Sequence, residues 1–183
     1  MNYFSTLPKR GHGNSLVCID VSKLKPCLQC GKCCVTHPCA LSPEDVSRIA
    51  DHFGLSKEEL FARFLVLDWV EVSGRRQYYV CPARKGDEGG TIVKSDWAFS
   101  DSPCIFLDSN ECLIEDVKPK GGRAFYCSLM TSSNRNFIGY SKKESASDWS
   151  NSHLLSQLII LAKMTKEDQA TLSRCVAPAR HVG

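Results

Sequence analysis

The sequence predicts a small, irregular α+β domain centred on metal, with an N-terminal cysteine cluster, helices, a β-hairpin and C-terminal covering helices. Three observations carry this. Of the 183 residues, 11 are cysteine, and five of these fall between Cys27 and Cys39. Two capped amphipathic helical patterns and a branched, aromatic run follow the cluster. Finally, 43% apolar residues, 23% charged residues and a formal net charge of +3 describe a chain able to bury a core, which excludes disordered and collagenous classes. The cysteine content is also below the ~8–10% of a small disulfide scaffold.

Residues 1–24 read as an N-terminal extension and 25–130 as a cysteine-cluster metal-binding domain. Residues 131–152 read as a polar linker, and 153–183 as helices that pack on the core. Ser42, Pro43 and Asp45 supply a cap, a favoured first helical position and a capping-box acid. Val46, Ile49, Ala50 and Phe53 then recur at helical spacing up to Gly54. Ser56 and Glu59 repeat the box, Leu55 and Leu60 form a hydrophobic staple, and Leu60, Phe61, Phe64 and Leu65 make a second buried face. The acids Glu44, Asp45, Glu58 and Glu59 complement the helix dipoles at these starts.

From Val66 to Val72 the chain is rich in strand formers, turns at Ser73-Gly74-Arg75 and resumes as RQYYVC, a hairpin that ends at Cys81. The following RKGDEGG lacks the spacing of a phosphate loop and reads as a turn. Small polar residues in SKKESASDWSNS, 141–152, read as a solvated connection. Leu154, Leu155, Leu158, Ile159, Leu161 and Ala162 suit a packed helix, and Thr165 with Asp168 begins another.

The chemistry is concentrated in Cys27-Leu-Gln-Cys30-Gly-Lys-Cys33-Cys34. Two-residue spacers on a turning backbone aim successive thiolates at one centre, and Gly31 can take the positive φ such turns use. A divalent cation or an iron–sulfur cluster supplies the charge that keeps those thiols deprotonated near neutral pH. Cys-x2-Cys-x2-Cys plus a distant fourth Cys fits a [4Fe–4S] site, whereas paired cysteines fit tetrahedral zinc, so both centres stay open. Cys33 and Cys34 are adjacent and diverge, which implies two centres or one ligand beside a buried thiol.

Cys104 and Cys112 flank a polar DSNE turn in a metal-knuckle hairpin, and Cys127 lies within reach once Gly121 and Gly122 bend the chain. Cys39 closes the N-terminal cluster. Cys81 precedes Pro82, as the last ligand of a ferredoxin run does. The candidate metal ligands are therefore Cys27, Cys30, Cys33, Cys34, Cys39, Cys81, Cys104, Cys112 and Cys127. Cys18 and Cys175 read as ordinary thiols, His37 as an exposed loop residue, and His12, His52, His153 and His181 have no partner spacing.

CLQCGKCC at 27–34, LSPEDVSRIADHFGLSKEELF at 41–61, CIFLDSNECLIEDVKP at 104–119 and GGRAFYC at 121–127 together resemble the CxxCxxCC cysteine-cluster family, the YkgJ-like group. The resemblance implies chelation of zinc or iron. In the common family pattern a Cys immediately precedes the residue matching Arg123. Here that position is Gly122, and Cys127 stands four residues after Arg123. The family is also similar to part of the flagellin lysine N-methylases, which implies a protein side-chain modifying enzyme as the alternative function, with a zinc-stabilised interaction module as a third.

No Ser/His/Asp set or carboxylate pair can be assembled from spacing, and an activated nucleophilic thiol is not what a ligand cluster suggests. Lys118, Lys120 and Arg123 beside Phe125 and Tyr126 are interrupted by Glu115 and Asp116, which argues against a nucleic-acid partner. Arg123 could equally orient a ligand loop. No apolar run has the length of a membrane span, the longest being Leu158 to Ala162 between Gln157 and Lys163. MNYFSTLPKRGHGNSL lacks the apolar core of a secretory signal. The expected location is the cytoplasm, where clustered thiols bind metal more often than they pair.

Overall fold

The computed structural model describes residues 31, 34–35, 39–93, 102–123 and 140–164. Among these are five helices and two two-stranded antiparallel sheets, the mixed α+β class expected. None of the described helices is long and apolar enough to cross a membrane.

Helix α1, Pro43–Phe53, starts at a reciprocal capping box: the Asp45 amide donates to Ser42 Oγ at 3.1 Å and the Ser42 amide to Asp45 Oδ2 at 3.0 Å. It ends at Gly54, φ +62°, and buries Val46, Ile49 and Ala50. Helix α2, Lys57–Phe64, repeats the box through Ser56 and Glu59, and buries Leu60 and Phe61. Leu65, expected on that helical face, is instead extended, φ −119° and ψ 158°, and opens strand β1. The pattern that changes here is the period: Leu65-Val66-Leu67 is apolar on both faces and is buried on both.

Strand β1, Leu65–Val72, pairs with β2, Arg75–Pro82, in the register Val72↔Arg75 to Leu65↔Pro82. The two-residue turn has positive φ at both Ser73, 51°, and Gly74, 74°, the geometry that matches strand twist. Only the end remote from the turn is buried, because other segments cover its edges. Thr91–Val93 run beside β1 through Leu67 N to Thr91 O, 2.9 Å, and Val93 N to Leu67 O, 2.8 Å. Leu41 runs beside β2, its amide donating to Val80 O at 2.9 Å.

Strands β3, Leu107–Asp108, and β4, Glu111–Cys112, form the second hairpin around Ser109-Asn110, as expected for the knuckle. The short helix α3, Lys120–Arg123, follows. Phe106 at the base of this hairpin stacks on Phe53 of α1 at 5.8 Å and meets Phe64 of α2 at 5.9 Å, so three rings tie it to both helices.

The stretch 141–152, expected as a solvated connection, instead carries helix α4, Lys142–Ser150. Ser141 and Glu144 form a third capping box, and Ser145, Ala146 and Trp149 make a narrow buried face that low overall hydrophobicity had concealed. Ser145 Oγ and Trp149 Nε1 both donate to the Leu41 carbonyl, at 2.8 and 2.7 Å. Helix α5, His153–Lys163, buries Leu158 and Leu161 as expected of a covering helix. The helix expected from Thr165 lies outside the described residues.

Ser145→Ala should cost about 0.5–1.5 kcal/mol, because Trp149 still satisfies the buried Leu41 oxygen, and Trp149→Phe somewhat more. The double variant should exceed the sum, since the carbonyl then has lost both donors; chemical denaturation of the four proteins measures this.

The backbone amides of Ser56 and Ser141, more than their hydroxyls, hold the Glu59 and Glu144 carboxyls below the ordinary carboxylate range. A depressed folded pKa stabilises above the unfolded value near ~4.3 and loses that contribution as pH falls. Glu59→Gln/Glu144→Gln should therefore show a flatter loss of thermal midpoint than the parent on acidification from about pH 5 to pH 3.

Candidate metal centre

The described thiols are Cys34, Cys39, Cys81, Cys104 and Cys112; Cys27, Cys30, Cys33 and Cys127 lie outside the described residues, as does His37. Cys104 is the centre of the arrangement. Its amide donates to the Cys34 carbonyl at 2.8 Å, while on its other edge Ile105 N meets Ala83 O at 2.9 Å and Lys85 N meets Pro103 O at 2.8 Å. The end of the CxxCxxCC motif, the first thiol of the knuckle and the chain just past Cys81 are thus three adjacent lanes of hydrogen-bonded backbone.

Gly31 adds a second contact between motif and knuckle. It is buried with φ +69°, as expected, and an added Cβ would lie 3.1 Å from Asn110 Oδ1 and 3.5 Å from Leu107. Gly31 therefore rests on the hairpin that carries Cys112, against Leu107 and Asn110. Cys112 itself stands opposite Leu107 in the β3–β4 register.

Cys39 is placed by its neighbours. Leu41 is held as described above, and Asp45 reaches past the α1 cap to accept Lys120 N at 3.0 Å and Arg48 Nη2 at 2.6 Å. Arg48 also donates to the Lys118 carbonyl at 3.2 Å. This network docks α3 against the cluster, so that an added Cβ at Gly122 would lie 3.5 Å from Cys39 Sγ. Asp45, expected to cap a helix and complement its dipole, therefore also joins two segments of the site.

Cys81 has a different environment. It is 2% exposed in β2, and burial first, then the Asp68 carboxylate, pushes its thiol well above the ordinary range. Cys104 acts in the same direction, and Lys142 and Arg84 oppose it. Asp68, equally buried, accepts hydrogen bonds from Tyr79 Oη and from Trp69 N, the latter at 2.7 Å, and lies 3.9 Å from Lys142 Nζ. Asp68, Tyr79 and Arg84 were not singled out from the sequence. Alternation places Asp68 and Tyr79 directly opposite each other, but a charged residue in a strand ordinarily reads as the solvent face.

Among the described residues no group of three or more His, Cys, Asp or Glu side chains is placed to hold an ion. The fit to metal rests on the donor chemistry: thiol-bearing segments of soft ligands brought together by backbone pairing suit zinc or iron. A family model agrees. Residues 26–151 match the CxxCxxCC family, described as a "Putative zinc- or iron-chelating domain", and the chain belongs to that family. The match runs on through α4. No curated protein and no solved structure matches the chain.

Gly31→Ala should destabilise the protein by about 1–2 kcal/mol, the usual cost of a left-handed non-glycine residue. Adding Asn110→Gly, which clears the 3.1 Å contact while tolerating the left-handed φ of 77° at 110, should recover only a minor part. Denaturant midpoints of the single and double variants test whether backbone conformation outweighs the contact.

Proposed function

We propose that the protein holds one zinc or iron centre between the Cys27–Cys34 motif and the Cys104–Cys112 knuckle, and that the centre is integral to the fold. The observation that supports this most directly is the Cys104 amide bonded to the Cys34 carbonyl at 2.8 Å. The ligands are drawn from Cys27, Cys30, Cys33, Cys34, Cys104 and Cys112, with Cys39, beside Gly122, and Cys127 completing the set. Cys81, three positions before the Arg84–Cys104 bridge, is a further candidate ligand. Sulfur-rich coordination selects zinc or an iron–sulfur cluster, giving a structural role in the first case and iron handling or electron transfer in the second.

The knuckle has little structure of its own. Each of its strands is two residues long, so a metal bound there would add its binding energy to folding, on the order of 10 kcal/mol for a tight zinc site. Protein purified without oxygen should carry zinc or iron by elemental analysis, and visible thiolate-to-iron absorbance would distinguish a cluster from colourless zinc. Cys30→Ser and Cys104→Ser should each empty the centre and lower the thermal midpoint, and Cys175→Ser should do neither. Full metal content in Cys104→Ser would remove the knuckle from the site.

A further inference from the structure

Arg84 has no solvent exposure, although it lies in a loop-like stretch rich in glycine and charge. A buried guanidinium is costly unless negative charge or strong acceptors surround it. One acceptor is plain: Arg84 Nη1 donates to the Ser102 carbonyl at 2.9 Å.

The backbone supplies the rest of the placement. Arg84 and Cys104 form an antiparallel bridge, and the flanking bonds, Lys85 N to Pro103 O and Ile105 N to Ala83 O, make them a non-hydrogen-bonded pair. In such a pair the two side chains leave the same face with Cβ atoms about 4.5–5.5 Å apart. The Cys104 amide is turned the other way, toward Cys34. Arg84 is therefore beside the knuckle's first thiol, on the flank away from the CxxCxxCC segment.

We infer that Arg84 is a positioning residue of the metal centre, its buried guanidinium offsetting the negative charge that accumulates when thiolates ligate a metal through Cys104. This rests on the chelation reading above. Four thiolates around a divalent ion leave a net negative charge, and a fixed cation that needs no reorganisation lowers the cost of burying it. Lysine at 84 would keep the charge without the fork, and glutamine would keep neither.

The test compares parent, Arg84→Lys and Arg84→Gln by chelator competition for bound metal. Arg84→Gln should weaken affinity by about 10–100-fold, the usual effect of losing a residue that supports ligands, and Arg84→Lys should stay within about tenfold of the parent. A structural peg for the Ser102 carbonyl would predict equal losses in both variants, and that result overturns the inference. If Arg84→Gln does not fold, Arg84→Lys decides: affinity within about tenfold supports the charge role, and a larger loss overturns it. A metal-loaded parent whose Arg84→Gln variant binds as tightly overturns this inference alone, whereas a parent without zinc or iron overturns the chelation reading and this one with it.

Discussion

The backbone of Leu41 is where the parts of this protein are joined. Its amide extends the edge of β2 at Val80, and its carbonyl accepts from both Ser145 and Trp149 of α4. Two buried donors on one oxygen use both of its lone pairs. Leu41 is itself fully buried, so this short segment is fixed in three directions before α1 begins at the next turn. The cysteine cluster precedes it immediately, and Cys39 inherits its position from this anchorage.

Around that anchor the structure divides into a conventional half and a half whose regular elements are only two to four residues long. The conventional half is α1, α2 and the β1–β2 hairpin, in which capping boxes, apolar periodicity and a two-residue turn agree with one another. The other half is the knuckle and the chain around it, where hydrogen bonds run between short lanes and glycine lets backbones approach. Aromatic stacking of Phe53, Phe64 and Phe106 ties the second half to the first. Rings of this size bury large areas, which compensates in part for strands that are only two residues long.

Helices α1 and α2, the main hairpin and the knuckle hairpin were legible in the sequence because each is specified by neighbours: Ser42 with Asp45, Ser56 with Glu59, Ser73 with Gly74, Cys104 with Cys112. Gly31 was legible for the same reason. Helix α4 was not, since its composition is polar and its buried face is only Ser145, Ala146 and Trp149; what makes it a core element is the Leu41 carbonyl, 108 residues from Trp149. Asp68 and Arg84 were hidden by a similar limit. Their charges are tolerated by partners distant in sequence, Lys142 and the segment at 102–104, and no local pattern announces such pairings.

The separation between partners also orders folding in time. Contacts within α1, α2 and the hairpin close short loops and form quickly, whereas Leu41 with Trp149 and Asp45 with Lys120 close loops of 108 and 75 residues. The entropic cost of loop closure is therefore concentrated in the contacts that bring the C-terminal part of the chain onto the helical and hairpin floor. Wherever those long loops open, Cys104 loses the cover that keeps it 9 % exposed, so its thiol meets oxidants to the extent that these closures fail.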